Sequence, residues 1–348
     1  MINRILENRH IIITAGTGGV GKTTLSAALA FRAAMLGKKT VVITIDPAKR
    51  LATSLGLSTL GDHPTDLTPM LKAIHEKSGG KGEIKGTLAA IMPDTRKTFE
   101  NFVAELAPNE AIAEQVIRNP IFQIFAKEFS GTNEYMALER LYALNEEEKY
   151  DTIILDTPPS RNTLAFLDAP TLLARFFEER LIKWLVLPAN KLVSTGMRKA
   201  LGILEKLTGA GFMTHLFDFA SALFEVRVNF TANLKKMTDL MASPQVGFLM
   251  VTTPTPDTVP EAQHFIEQVV SHGFHFDGIA LNRTLGYLKI HERPSHEGAI
   301  EIIKCLQNRE AQVLKQLGKQ SIPVLAKLPE LARDVHSVED LFHVAMAL

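Results

Sequence analysis

Ile11-Ile12-Ile13-Thr14-Ala15-Gly16-Thr17-Gly18-Gly19-Val20-Gly21-Lys22-Thr23-Thr24 is the stretch that decides the fold. An apolar run leads into a glycine-rich turn, and an alanine-rich helical stretch follows directly. Gly16 and Gly21, with four residues between them, then Lys22 and Thr23, satisfy the phosphate-binding P-loop pattern. Glycine lets the backbone curl until successive N–H groups point inward at phosphate oxygens, and the following helix adds the partial positive charge of its N-terminus. Gly18, Gly19, Val20, Gly21, Lys22, Thr23 and Thr24 are therefore the candidate nucleotide-binding residues. Lys22 is placed to reach the β- and γ-phosphates, and the Thr23 hydroxyl to ligate Mg²⁺.

Working outward, Val41 to Ile45, Leu88 to Met92, Thr152 to Leu155, Gly247 to Val251, Gly278 to Leu281 and Pro323 to Leu325 read as short buried strands. Continuous apolar runs without alternation suit a parallel sheet covered on both faces. Thr23 to Leu36 reads as a helix closed by Gly37 as its C′ residue, which completes a βαβ unit. The expected fold class is α/β: a P-loop NTPase with a mostly parallel central sheet, helices on both faces and an inserted α-helical subdomain. The core is expected over 1–94, 149–162 and 243–348. The stretches 95–148 and 163–242 have helical periodicity and almost no strand signal, and are expected to form helical insertions above the carboxyl edge of the sheet.

Bulk properties narrow the classes of function. The 348 residues suffice for one large α/β domain or two smaller ones. Lys+Arg and Asp+Glu are both 38, so no basic excess points to nucleic acid. The single cysteine, Cys305, excludes an intramolecular disulfide and a Cys-x-x-Cys metal site within the chain. The first strand begins within about ten residues of the N-terminus, which leaves no room for a signal peptide. The longest apolar stretches, such as Leu185 to Leu187, fall far short of the roughly 20 residues that span a bilayer. A cytoplasmic protein without direct membrane insertion is expected.

Two aspartates follow buried strands. Asp46, ahead of Pro47-Ala48-Lys49-Arg50, would stand near the γ-phosphate, where it could orient or deprotonate the attacking water. A capping aspartate before proline is the alternative. Asp156, ahead of Thr157-Pro158-Pro159-Ser160, suits a Walker B-type carboxylate holding Mg²⁺ directly or through water. Thr23, Asp46 and Asp156 are the metal candidates. A guanine site would show Asn/Thr-Lys-x-Asp after a late strand; Leu281-Asn282-Arg283-Thr284 has no such aspartate. The amide of Asn282 could instead bond an adenine edge, so Mg·ATP is the expected ligand.

Together these residues resemble the ArsA/guided-entry ATPases, of the deviant-Walker class that also includes MinD, ParA and the nitrogenase iron protein. The likeness covers nearly the whole chain. It rests on the loop 16–24, Asp46-Pro47-Ala48 as switch I, Gly131 to Glu134, Asp156-Thr157-x-Pro159 to Leu167 as switch II, Glu261 ahead of Asn282, and Leu328-Pro329. Asn119-Pro120-Ile121, Glu134-Tyr135-Met136-Ala137 and Phe166-Leu167-Asp168-Ala169-Pro170 look most like bacterial members labelled anion-transporting ATPases. The resemblance implies a homodimeric ATPase that closes on ATP and rearranges its helical subdomains. It implies Asp46 as the water-activating residue, Asn282 as the adenine contact, and Leu328-Pro329 as a loop packed near the base.

The chain also departs from the family pattern. The signature lysine early in the P-loop, which reaches the partner's phosphates, is Thr17 here. Hydrolysis is then expected to be slow, or another cation compensates; Lys49, Arg50 and Arg161 lie in the switch segments, with Arg161 the preferred choice. A glutamate of eukaryotic members is Thr255 here, and both their zinc-binding cysteine pair and the arsenite-binding cysteines of pump subunits are absent. Soft trivalent arsenic has no thiolate cluster to bind.

Phe212, Leu216, Phe217, Phe219, Leu223, Phe224 and Phe230, with Phe176-Phe177 and Leu181 to Val186, enrich the insertion in large apolar residues. In eukaryotic relatives such helices form a groove for a membrane protein's tail helix. Helical spacing favours the subdomain's own core for most of them, and a groove requires some of them exposed. Val338 to Leu348 is apolar on one face but lacks Lys and Arg, so it reads as a packed terminal helix rather than a membrane helix. His272, His275, His291 and His296 read as dispersed surface residues on loops, without a metal-ligand pattern. Three outputs stay open: a targeting factor for apolar membrane-protein segments, the energising subunit of an anion pump, or a ParA/MinD-like regulatory switch.

Overall fold

The computed structural model describes residues 2–44, 50–55, 57, 60–80, 83–123, 132–157, 211–289, 297–331, 334–335 and 337–348. Their elements, in chain order, are α1 (Ile2–Asn8), β1 (Ile11–Ala15), α2 (Lys22–Met35), β2 (Lys39–Thr44), α3 (Arg50–Ser54), β3 (Thr65–Asp66), α4 (Thr68–Lys77) and β4 (Thr87–Ile91). Then come α5 (Thr95–Leu106), α6 (Glu110–Arg118), α7 (Thr132–Glu146), β5 (Thr152–Asp156), α8 (Phe212–Ala242) and β6 (Val246–Thr252). The chain closes with α9 (Thr258–Ser271), β7 (Phe276–Thr284), α10 (Glu297–Lys319), β8 (Val324–Pro329) and α11 (Val338–Ala347). It divides into two compact units: Met1–Pro93, Arg140–Leu167 and Leu240–Leu348 form the first, Asp94–Glu139 and Asp168–Asp239 the second.

The first unit is built on an eight-stranded sheet of order β3-β4-β2-β5-β1-β6-β7-β8. Every pairing is parallel except β3 against β4. Ile11, Ile12, Ile13, Val41, Val42 and Ile43 are all fully buried, which is why their strands read as unbroken apolar runs. β1 lies between β5 and β6, so the chain winds to one side of it first and to the other later. This reversal opens a crevice at the carboxyl end of β1, where the glycine-rich turn begins.

The helix after that turn, α2, buries Leu25, Ala27, Ala28, Leu29, Ala30, Phe31, Ala33 and Ala34. Small side chains let it approach the sheet closely on several sides. It stops at Gly37, whose φ of 91° is the left-handed conformation a helix terminus needs. α11 packs on α2 and buries Leu341, Phe342 and Ala345. Ser337 caps it, its Oγ accepting from Asp340 N at 3.1 Å. Val338 to Leu348 is thus a packed helix as expected, and among the described residues no helix is long and apolar enough to cross a membrane.

The six expected strands are present with ends that differ by one to four residues, Met92 and Pro323 falling outside theirs and Ile45 outside the described residues, and three details differ. The short antiparallel β3 carries no sequence signal, because two residues are too few to show periodicity. Leu328 and Pro329, expected in a loop, end strand β8. His272 and His275 are half-buried rather than surface residues. The His272 ring stacks on Phe274 at 5.6 Å between centroids, and His275 Nε2 lies 3.2 Å from Ala242 O. His291 and His296 lie outside the described residues.

The second unit holds α5, α6, the first half of α7 and most of α8. Asp94 and Asn109 cap α5 and α6, accepting from Arg96 N at 3.0 Å and Ile112 N at 3.0 Å. Phe102, Tyr135 and Phe230 form a mutual aromatic cluster with centroids 5.2 to 5.8 Å apart. Phe219 and Phe230 are buried, and Phe224 is half-buried under the Arg227 guanidinium, 4.4 Å from the ring centroid. The side chains of Phe212, Phe217 and Leu223, and all of Phe176, Phe177 and Leu181 to Val186, lie outside the described residues.

Polar groups are buried in this unit too. Glu139 is 7% exposed and accepts from Asn233 Nδ2 at 3.1 Å. Burial first, and the nearby Glu105 charge second, push its carboxyl up to about 7 against the Asn233 bond. Tyr135, one helical turn earlier, is fully buried, and its hydroxyl has no hydrogen-bond partner among the described residues. Burial, then the Glu139 charge, hold that phenol well above its ordinary value.

Candidate functional site

The turn after β1 is shaped by glycines that no other residue could replace without displacement. Gly16 has φ 153° and sits so close to β6 that a Cβ would collide with the Val251 carbonyl oxygen. Gly21, at φ 92°, would drive a Cβ into the Asn282 amide. Among the described residues no side chain caps the N-terminus of α2, and first-turn N–H groups of this kind suit an anion. Gly18 and Gly19 are exposed, Thr23 and Thr24 half-buried, and Val20 buried. Lys22 is only 5% exposed, its ammonium donating to Gly16 O at 2.8 Å and Thr17 O at 3.0 Å. The charge is thereby stored within the loop, held by carbonyls that a phosphate would outcompete.

Behind the loop runs a polar row set by strand register. Thr14 of β1, Asp156 of β5 and Thr44 of β2 are paired neighbours across the sheet, so their side chains share one face. Asp156 is fully buried, and Thr44 Oγ1 donates to its Oδ2 at 3.0 Å. Ser26 Oγ, from the second turn of α2, lies 3.4 Å from Asp156 Oδ1 and 2.7 Å from Thr14 Oγ1. Thr157 Oγ1 donates to Thr14 O at 2.8 Å, fastening the segment after β5 to β1.

This donor set fits Mg²⁺. Thr23 lies three residues before Ser26, on the helix face that meets Asp156. A hydroxyl and one carboxylate are the hard oxygen ligands that Mg²⁺ shares with phosphates and water. Among the described residues no group of three His, Cys, Asp or Glu side chains is placed to hold a metal ion. Thr44→Val, which keeps volume but removes the bond to Asp156, is expected to raise the Mg²⁺ concentration for half-maximal ATP turnover about threefold to tenfold. Saturating Mg²⁺ should restore most of the rate, which a Mg²⁺ titration of phosphate release checks.

Beside the loop a cavity of about 250 Å³ is lined by Gly21, Thr24, Asn282, Leu328, Pro329 and His343, among others. Asn282 Nδ2 donates to Val20 O at 2.9 Å, tying β7 to the glycine-rich turn. Thr284 Oγ1 donates to Leu328 O at 3.0 Å, tying β7 to β8. Asn282, Leu328 and Pro329 therefore form one wall adjoining the helix that bears Lys22, Thr23 and Thr24. A flat apolar base edged by an amide fits such a wall.

Sequence reading missed the supports of this wall. Glu310, 5% exposed, accepts from Leu285 N at 2.6 Å and Gly286 N at 3.1 Å. Gln307, one turn earlier on α10, donates to Leu285 O and Leu288 O, each at 2.9 Å. Polar residues on an amphipathic helix carry no signal that they fasten a distant loop. Glu261 sits half-buried in the first turn of α9, its carboxyl raised by burial and then by Asp257. Thr255 N donates to Thr258 Oγ1 at 3.1 Å in the turn before it. Asp46, Lys49, Gly131 and Arg161, and the side chains of Arg50 and Glu134, lie outside the described residues.

The geometry has counterparts among known proteins. The family described as "Anion-transporting ATPase" matches residues 9–348. A protein of Aquifex aeolicus, provisionally named arsenical pump-driving ATPase 1, is 24% identical over 344 residues, covering 97% of this chain and 78% of the relative. ATPase ASNA1 homolog 1 of Paramecium tetraurelia is 33% identical over 178 residues, 50% of this chain and 48% of its own. ATPase asna-1 of Caenorhabditis elegans is 23% identical over 347 residues, 97% of this chain and 89% of its own.

Proposed function

The chain belongs to the anion-transporting ATPase family and is an ATPase, and from that premise we propose that it is a homodimeric, Mg²⁺-dependent switch that handles apolar segments of membrane proteins in the cytoplasm. The observation that carries the nucleotide part is the meeting of three features on one sheet edge. They are the glycine-rich turn with its buried Lys22, the polar row around Asp156, and the cavity walled by Asn282, Leu328 and Pro329.

In this reading Lys22 exchanges its loop carbonyls for phosphate oxygens and stabilises charge as the γ-phosphoryl group leaves. Thr23 and Asp156 would hold Mg²⁺, with Asp46 a further candidate ligand, and the ion would supply neutralisation of phosphate charge. Asp46 orients the attacking water and takes its proton. Asn282 selects adenine. The sheet unit is the ATPase core, and the helical unit is the part that meets the client. Support for the client comes from the resemblance to guided-entry ATPases and from the presence of a separate helical unit rich in large apolar residues.

An anion pump subunit is the second reading, favoured by the name of the Aquifex relative. The lone Cys305 argues against arsenite as its cargo. A regulatory switch with one protein partner is the third.

The test is an Asp46→Asn variant, expected to bind ATP yet stall in its closed form, used to capture proteins from its own cells. Enrichment of proteins with apolar terminal helices, abolished when Phe217 and Phe224 are made polar, supports the targeting reading. Capture of a single polytopic transporter moves the answer to a pump, and a single soluble partner moves it to a regulatory switch. Normal turnover in Asp46→Asn removes the aspartate from its assigned role.

A further inference from the structure

We propose that His343, on the last helix of the chain, reads the base beside Asn282, accepting a hydrogen bond from the amino group of a 6-aminopurine nucleotide. The proposal rests on the reading that the 250 Å³ cavity holds the base. His343 lines that cavity together with Asn282, Leu328 and Pro329, although it lies about sixty residues beyond β7 in sequence.

The ring's protonation pattern follows from its one bond. His343 Nδ1 lies 2.7 Å from the Glu339 carbonyl oxygen, one turn earlier on α11. A carbonyl oxygen can only accept, so Nδ1 carries the proton and, in the neutral ring, Nε2 carries a lone pair. Nε2 has no partner among the described residues. His343 is exposed at the cavity rim, and the same bond restrains its ring there.

Asn282 is committed in a complementary way. One N–H of its amide is spent on Val20 O at 2.9 Å, which leaves Oδ1 for a ligand. The Asp334 carboxylate also borders the cavity. The guanidinium there, Arg283, faces Glu330, with Nε 3.9 Å from Oε2. Arg283 keeps further N–H groups at the rim, while Asn282 Oδ1 and His343 Nε2 give the base edge two acceptors. Adenine offers an amino group at C6 to such an edge. Guanine offers a carbonyl oxygen, which would face lone pairs and lose a bond at each of them. Selectivity for ATP thus comes from two side chains brought together by folding, one in β7 and one in α11, and α11 is fixed on α2 by its buried face.

Nucleotide titrations with Mg·ATP and with purine riboside 5′-triphosphate, which lacks only the 6-amino group, separate this from a packing role. His343→Ala should weaken ATP binding about fivefold, the worth of one neutral hydrogen bond, and leave the analogue unchanged. His343→Gln, whose amide oxygen can replace the Nε2 acceptor, should recover most of the loss. Equal weakening of both nucleotides, or no weakening of ATP, would overturn the proposal. Asn282→Ala run alongside tells the two levels apart. If it weakens ATP while His343→Ala does not, only the histidine's role fails. If it changes neither nucleotide, the cavity is not the base site and both readings fall.

Discussion

Lys22→Ala should retain its fold and lose at least about a hundredfold in ATP turnover. The lysine is buried and donates to Gly16 O and Thr17 O, so the positive charge already sits inside the concavity that would receive phosphates. Between Gly16 and Thr24 it is the one cationic residue in the sequence; Thr17 stands at the position where the family resemblance implies a second lysine. No other residue of the loop can therefore replace its charge. The melting temperature should change little, since the alanine removes a buried charge at the same time as it frees the Gly16 and Thr17 carbonyls. Phosphate release and thermal melting together check the result. Turnover within a fewfold of the parent would show that charge stabilisation comes from elsewhere and that the loop assignment is mistaken.

Glu139→Gln should stabilise the helical unit at pH 8 by up to about 3 kcal/mol and leave it nearly unchanged at pH 4. The sign follows from the carboxyl being held at about 7 in the folded unit against an ordinary 4.5. Below the lower value both states bind the proton, and the group contributes nothing to the pH slope. Between the two values the unfolded chain has released the proton while the folded unit keeps it, so stability falls as pH rises through this window. Above 7 a charge sits buried beside Glu105, with Asn233 Nδ2 donating to it. The glutamine keeps that acceptor and removes the charge. Denaturant unfolding at a series of pH values reads the difference. A destabilised variant at pH 8, or an unchanged pH slope, would contradict the cause assigned to Glu139.

The two effects differ in how far the sequence anticipated them. Lys22 stands in a pattern where spacing alone encodes the chemistry: glycines at fixed intervals force the curl, and the next residue must face the phosphates. Asp156 was legible for a similar reason, as a carboxylate ending a buried apolar strand. Its hold by Thr44 and Ser26 was not, because those contacts depend on sheet register and on the face that α2 turns inward. Glu139 lies on a helix whose sequence looks like any amphipathic segment, and nothing local announces that it is buried beside Glu105 and Asn233. Leu328-Pro329 stands in the sequence as a loop only through the family resemblance; β8 is an edge strand and tolerates the proline at its end.

Local patterns of the chain by themselves determined the phosphate-binding turn, the parallel α/β sheet, the family and the packed terminal helix, since each depends on residues a few positions apart. The tertiary structure alone decided what stands around the candidate nucleotide site. Glu310 and Gln307 fasten the loop beyond Asn282, and His343 comes to the same cavity from the last helix. Such neighbours are set by which strands pair and which helix faces which strand, over separations that no local periodicity records.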